Sequence, residues 1–482
     1  MIERLRIARQ KLAGIGQDHI LHFFDTLGSS GCEKLLGQIE SVDWQEAARL
    51  AQSHVLDSES AAIPHDLEPA PYYPHVSTDD LSDKYHKARS LGEQLIRENK
   101  VAAFTVAGGQ GTRLGWDGPK GSFPATPIRK LPLFGCFAEY ILRSQEKYNA
   151  TVPWYIMTSP DNEVQTRDVF ECHNYFGIDR DNIMFFPQAM MPAFDRQTGK
   201  VLLASTDSIA LSPNGHGGSL KALYTSGAID DMKTRGIEQI SYTQVDNPLV
   251  RVIDPLFIGL HVADGAQMSS KMLPKTFEKE KLGNFCLVNG RMAVIEYSDL
   301  PDELASQRLN NGQLRFCAGS IAIHLIGLDF VESLNASSDS EGFALPYHRA
   351  EKAVPHVDLQ TANRIEPIAP NAVKLESFVF DALPLCDVSI VYETDRVEEF
   401  APIKNADADP LAESVDSPYT SSQLQIERAA RWLQRKGVAV PRRDGQQVDA
   451  VIEISQRTAI EADDLNGAQL PQEIGRGSQV LL

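Results

Sequence analysis

The sequence predicts an α/β protein: a mixed, mostly parallel sheet flanked by helices, between a helical N-terminal region and a small C-terminal domain. Three observations predict it. From Val101 onward, short apolar runs bounded by Gly, Pro, Asn or Asp alternate with segments of helical periodicity, the pattern of strands joined by crossover helices. Before Val101 the apolar residues recur mainly at helical spacing. After about Asp381 the chain gives one strand-like run, one amphipathic segment and a short tail.

The N-terminal apolar residues Ile2, Leu5, Ile7, Leu12, Ile15, Ile20, Leu21 and Phe24 follow helical spacing that two glycines interrupt. A proline-bearing stretch, EPAPYYPHVSTDD (68–80), precedes the amphipathic LSDKYHKARSLGEQLIRENK (81–100). Residues 1–97 therefore read as a helical region. In the central domain, 98–385, strands are expected at VAAFTVA (101–107), VPWYIMTS (152–159), IMFFPQ (183–188) and QISYTQVD (239–246). Helices are expected at FGCFAEYILRSQEKY (134–148) and GSLKALYTSGAIDDMKTRG (218–236). The C-terminal domain, 386–482, holds DVSIVYET, the helical SSQLQIERAARWLQRKG and VDAVIEIS.

At 482 residues the chain exceeds one simple core and suggests two or three domains. A net charge of −19 argues against a nucleic-acid partner, which needs a basic stripe. Six cysteines lie far apart with no C-x-x-C pair, a pattern of reduced thiols rather than of a zinc site or disulfide framework. MIERLRIARQKLAG has no apolar signal core, and no run approaches the ~20 residues of a membrane span. A cytoplasmic protein with no membrane partner is expected. Nothing in the sequence fixes the oligomeric state, and a monomer is compatible with it.

One stretch concentrates cations and glycines in this acidic chain: VAGGQGTRLGWDGPKGSFP (106–124), with six glycines, Arg113 and Lys120. It is not a P-loop, since Lys120 lies between Pro119 and Gly121 instead of in G-K-[ST]. Nor is it a dinucleotide fingerprint: from Gly109 the pattern is G-Q-G-T-R-L, with Leu114 at the third glycine position. Pro119, Pro124, Pro127 and Pro132 oppose a continuous helix before about Leu133. A long irregular loop remains, and glycines let such a backbone approach phosphate oxygens closely. A glycine-rich turn with two solvated cations is the alternative reading. Ligands of open α/β sheets sit at the carboxyl ends of strands, and both this loop and Asp246 follow predicted strands.

The run G-G-x-G-T-R-L-G followed by P-K-G resembles the signature loop of sugar-nucleotide pyrophosphorylases. More narrowly, the chain is similar to the eukaryotic-type UDP-N-acetylhexosamine pyrophosphorylases and their UDP-sugar pyrophosphorylase relatives. The likeness continues in order through RKLPLF (129–134), MTS (157–159), FFPQ (185–188), NGHGG (214–218) and QVDNPLVRVIDPLFIG (244–259). VIEYSDL (294–300), LPYHRAEKAVPHVD (345–358), NAVKLESFVFD (371–381) and FAPIKNAD (400–407) complete it. The resemblance implies a Rossmann-like, GT-A-like nucleotidyltransferase domain. It also implies uridylyl transfer from UTP to a sugar 1-phosphate, N-acetylglucosamine 1-phosphate first, with release of pyrophosphate. The nucleophile is already an anion, so positioning and charge neutralisation dominate and no general base is required.

The resemblance also implies site residues. Arg113, Lys120 and Lys404 would act on the phosphates. Ala107, Gly108, Gly109, Gly111, Thr112, Gln188, Gly215 and His216 would contact the nucleotide. Glu296, Cys317 and Gly319 would contact the sugar, and Asp246 would hold Mg²⁺ (or Mn²⁺). Asn247 reads as structural. One block departs: LRFCAGSIAIH (314–324) has Cys317 and Ser320 where the N-acetylhexosamine enzymes carry Asn. Cysteine is a weak hydrogen-bonding group. With His216, which matches the glucose-type relatives, this leaves a non-acetylated hexose 1-phosphate as the alternative acceptor. A non-catalytic nucleotide-sugar binder is the reading from another class.

Overall fold

The computed structural model describes residues 1–57, 66–336 and 345–482. The chain folds into two compact units, each assembled from three separate stretches. One comprises Pro64–Pro187, Tyr224–Glu332 and Leu383–Leu482; the other comprises Met1–Ile63, Gln188–Leu223 and Ser333–Ala382. The expected boundaries at 97/98 and 385/386 are therefore not the boundaries of these units, because contacts between distant stretches, not consecutive sequence, define them.

The larger unit is built on a ten-stranded sheet. Its strands are β1 (Leu67–Pro69), β2 (Val101–Val106), β3 (Trp154–Thr158), β4 (Ile183–Pro187) and β5 (Gln239–Gln244). They continue with β6 (Met268–Pro274), β7 (Asn284–Val288), β8 (Arg291–Ile295), β9 (Ala318–Gly327) and β10 (Ser389–Glu393). The main path runs β1-β7-β9-β5-β2-β3-β4, with β6 joined to β9 and β10, and β8 to β7. The block β5-β2-β3-β4 is parallel and contains the four strands predicted from sequence. The other half is chiefly antiparallel, and only four of the nine strand pairs among the described residues are parallel. The sheet is thus mixed, not mostly parallel. Hairpins account for the difference: β7 turns directly into β8 through Asn289 (φ 49°) and Gly290 (φ 76°), a two-residue connection that forces antiparallel pairing. The run DVSIVYET, expected in the C-terminal domain, supplies β10 of this sheet, where it pairs in parallel with β6.

Helices α1 (Ser82–Arg97), α2 (Leu133–Tyr148) and α3 (Pro255–Ala263) pack on the sheet through a core that includes Phe134, Phe137, Trp154, Phe170, Phe257 and Ile323. Two glycines let α1 and α3 touch backbone to backbone. A Cβ on Gly92 would lie 1.8 Å from Pro255 O, and one on Gly259 would lie 1.6 Å from Ala88 O. Helix α4 (Pro418–Arg435) starts at a Ser417–Thr420 capping box and buries Ile426, Trp432 and Leu433 against Val438, Ile452 and Leu465. Glu453 fastens this C-terminal part to the turn before α2, accepting from Ile128 N (2.7 Å), Arg129 N (2.9 Å) and Arg129 Nε (2.5 Å).

In the smaller unit, helices Ile2–Ala13, Ser29–Ser41 and Trp44–Leu50 bury Leu12, Leu36, Ile39 and Trp44 against Phe194, Val201, Val373 and Leu375. The first helix stops at Gly14, and Gly16 adopts φ 69°. A three-stranded antiparallel sheet joins His348–Lys352, Ala372–Glu376 and Phe194–Asp195. The expected single helix over 218–236 is two helices, Gly218–Thr225 and Ala228–Thr234, broken where Gly227 takes φ 81°. No helix among the described residues is long and apolar enough to cross a membrane.

Candidate active site

The glycine loop leaves β2 at its carboxyl end and folds back on itself, with single 3-10 turns at Thr112–Leu114 and Lys120–Ser122 and no α-helix until Leu133. Gly111 N donates to Gly118 O (2.9 Å), Lys120 N to Gly109 O (3.0 Å), and Gln110 bridges Pro119. Gly111 has no alternative, since a Cβ there would meet Trp116 Cβ at 2.7 Å. Behind the loop, fully buried Asn162 donates to Ala107 O (2.9 Å) and Gly109 O (3.2 Å), while its Oδ1 accepts from Ser159 N (2.8 Å). The N–H groups of Gly108, Gly109 and Thr112 have no acceptor among the described residues. Free backbone donors on a glycine loop are what a phosphate requires. Arg113 lies on the exposed side of the loop, and its carbonyl accepts from Ala406 N (3.2 Å).

Asp246 stands beside this loop because β5 and β2 are parallel neighbours in register, Gln244 opposite Val106. Its Oδ2 accepts from Lys120 Nζ at 3.1 Å, and both side chains are mostly buried. Lys404 comes from a remote stretch of the chain. Ile403 N donates to Asp246 O (2.9 Å), and Lys404 N donates to Asp416 O (2.6 Å). Its ammonium lies 3.9 Å from Asp416 Oδ2 and 5.6 Å from the centre of the Phe400 ring. Burial alone would raise the Asp246 carboxyl, but the charges of Lys120 and Lys404 outweigh it and hold the group below the usual carboxylate range. Asn247 is structural, as expected: buried, it donates to Glu399 O (2.7 Å) and accepts from Ala401 N (3.0 Å).

Two of the expected sugar contacts, Glu296 and Gly319, lie near Gly283 in the same unit. A Cβ on Gly283 would lie 3.6 Å from Glu296 Oε1, Ser320 N donates to Gly283 O (2.7 Å), and Gly319 pairs with Asn284. Gly319 also admits Leu282, whose Cδ1 would be 2.8 Å from an added Cβ. Cys317 is buried, accepts from Gln313 Nε2 at 3.5 Å and lies beside Tyr72; burial pushes its thiol up.

Gln188, Gly215 and His216 belong to the smaller unit and meet one another there. Gln188 is buried and donates to Asn214 Oδ1 (3.0 Å) and Gly215 O (2.5 Å), so its Oε1 remains to accept. Gly215 takes φ 84°, and a Cβ would strike Ser377 O at 2.2 Å. His216 Nδ1 accepts from Val379 N (3.1 Å), its ring rests against Phe378 and Phe380, and burial pushes it down to about 4. It is a neutral ring with Nε2 protonated, unable to serve as a cation for phosphate.

The stretch of chain that supplies this loop, both lysines and the carboxylate also matches a known family. The profile of the family described as UTP–glucose-1-phosphate uridylyltransferase covers residues 45–443. The chain belongs to this family. Within the uridylyltransferase family it is similar to UDP-N-acetylhexosamine pyrophosphorylase-like protein 1 of Xenopus tropicalis, 35% identical over 89% of this chain and 84% of that one. It is 32% identical to UDP-N-acetylglucosamine pyrophosphorylase of Saccharomyces cerevisiae, over 95% of this chain and 96% of the other. Among solved structures it resembles the uridine diphosphate N-acetylglucosamine pyrophosphorylase of Trypanosoma brucei, with TM-score 0.81 and 25% identity over 100% and 98% of the two chains.

Four residues that hold the predicted site residues of this uridylyltransferase-family chain escape sequence reading. Asn162 fixes the glycine loop from the turn after β3, where no sequence motif marks it. Asp416, beside Lys404, has no local signal at all. Phe378 and Phe380 lie within the block SFVFD, yet nothing in it shows that they flank His216.

Proposed function

We propose that this chain transfers the uridylyl group of UTP to a sugar 1-phosphate, with N-acetylglucosamine 1-phosphate as the first candidate. A phosphate oxygen of the sugar attacks the α-phosphorus, the bond to the bridging oxygen breaks, and pyrophosphate leaves. The observation that carries this reading is the convergence of Lys120 and Lys404 on Asp246 beside the free amides of the glycine loop. Two polyanions can approach only where fixed positive charge awaits them, and these groups supply it already oriented. Lys120 is assigned to the α-phosphate or the sugar phosphate, Lys404 to the phosphates, and Arg113 to the β/γ end. The amides of Gly108, Gly109 and Thr112 complete the cradle. Gln188 offers Oε1 to a base N–H, Gly215 a close backbone approach, and His216 a neutral ring to ribose or sugar. Glu296 would accept from sugar hydroxyls.

Among the described residues no three His, Cys, Asp or Glu side chains gather as a self-sufficient metal cage. The donors fit Mg²⁺ or Mn²⁺ nevertheless, because such ions take one or two carboxylates together with substrate phosphates, and Asp246 stays ionised. Asp246 would hold the ion, which when bound adds neutralising charge at the phosphates. We also assign the larger unit to the Rossmann-like, GT-A-like nucleotidyltransferases; its parallel block β5-β2-β3-β4, with loops at the carboxyl ends, supports that.

Incubation with UTP, Mg²⁺ and a panel of sugar 1-phosphates tests the proposal. Pyrophosphate release with N-acetylglucosamine 1-phosphate is expected, and no release with any sugar overturns it. Cys317 favours a second reading, in which a non-acetylated hexose 1-phosphate is the better acceptor. In that case Cys317→Asn shifts the preference towards the N-acetylated sugar.

A further inference from the structure

Behind Asp246 and Lys404 lies a buried ion cluster. Lys271, on β6, is fully buried; its ammonium donates to Asp254 Oδ2 (2.6 Å) and to Glu399 Oε1 and Oε2 (2.6 and 2.8 Å). Glu399 also accepts from Thr394 Oγ1 (2.7 Å) and Arg251 N (3.2 Å). Asp254 in turn caps α3 through Leu256 N and Phe257 N. Ion clusters of this kind seldom stabilise a fold more than apolar groups of equal volume would, so stability alone is a poor account of it.

What the cluster joins is more informative. Asp254 sits on the chain that leaves Asp246, and Glu399 sits five residues before Lys404. From Glu399 the contacts run without a gap into the site. Its carbonyl accepts from Asn247 Nδ2 (2.7 Å), Asn247 Oδ1 accepts from Ala401 N (3.0 Å), and Ile403 N donates to Asp246 O (2.9 Å). Lys271 thereby fixes, through Glu399 and Asn247, how far the Asp246 segment stands from the Lys404 segment. Arg428, buried on α4, spans the same two segments with longer contacts, to Leu249 O (3.5 Å) and Glu398 O (3.4 Å).

We propose that Lys271 and Glu399 are positioning residues for uridylyl transfer, holding Asp246 and Lys404 at their working separation. The proposal rests on the reading of the site given above. Lys271→Met would strand two buried carboxylates and is a poor probe, so Glu399→Gln, which keeps the Lys271–Asp254 pair, is the first variant. Asn247→Ala, which cuts the link without disturbing the ions, is the second. In pyrophosphate-release assays each is expected to lower kcat roughly 10- to 100-fold, the scale of a small misplacement of reacting groups, with KM for UTP little changed. Combined with Lys404→Ala, each should slow the enzyme by less than about threefold beyond Lys404→Ala alone, because residues acting through one group are not additive. A lowered melting temperature with unchanged kcat per folded molecule overturns the proposal. So do losses that multiply with that of Lys404→Ala. Absence of pyrophosphate release by the unsubstituted protein refutes the functional reading instead, which keeps the two failures distinct.

Discussion

Lys120 bonds Asp246, and the charge of Lys404 acts on the same carboxylate from 284 residues further along the chain (404 minus 120). Each is a preorganised positive charge beside a carboxylate it does not need for folding, so removal should be felt in turnover. Lys120→Ala and Lys404→Ala are each expected to reduce kcat about 100-fold or more, the loss typical of removing one fixed charge stabiliser. Steady-state pyrophosphate assays check this, and near-normal rates for both would dismiss their assigned roles. Asp246→Ala should flatten the Mg²⁺ titration; an unchanged titration would remove Asp246 from the metal site. At this scale the sequence was informative where a residue type was unusual for its surroundings. Arg113 and Lys120 among glycines in an acidic chain stand out, and Asp246 stands at a strand end. Asn162 and Asp416 were illegible because their work is to hold other backbones, and that depends on contacts the local sequence does not encode.

At the scale of elements, the parallel strands and helices α1, α2 and α4 follow closely from apolar periodicity, capping residues and prolines. The antiparallel half does not. Strands β6 to β9 are buried on irregular faces, and their pairing depends on hairpins and on partners about a hundred residues away. The contact between α1 and α3 is equally silent in sequence, since Gly92 and Gly259 look like blemishes in two helical patterns. Their function is to let backbones touch. Gly92→Ala would force a Cβ against Pro255 O, and it is expected to destabilise the protein by about 3 kcal/mol, at the upper end of overpacking costs. Chemical denaturation would show this, and a loss near zero would mean that the helices separate freely. Gly121→Ala should behave similarly, because Phe134 Cε2 lies 2.2 Å from the added Cβ.

Across the whole molecule, buried histidines couple stability to pH. Burial pushes His261 in the larger unit and His216 in the smaller one down to about 4 from an ordinary 6.5. The unfolded chain therefore binds more protons between pH 4 and 6.5, so stability rises with pH across that window and levels off above it. His261→Gln should remove about 2 kcal/mol of the stability difference between pH 5 and pH 7, measured by urea denaturation at both. An unaltered pH dependence would show that His261 is not held neutral. Length implies more than one unit, but not their interleaving, because it arises from pairings between stretches that no local pattern connects. That interleaving has a consequence in time. The apolar faces of the first three helices close on Val373 and Leu375, more than 300 residues after Trp44. At ribosomal speeds of about 5–20 residues per second, those faces wait on the order of tens of seconds for their partners. During synthesis the N-terminal helices therefore carry these apolar faces before the residues that cover them exist.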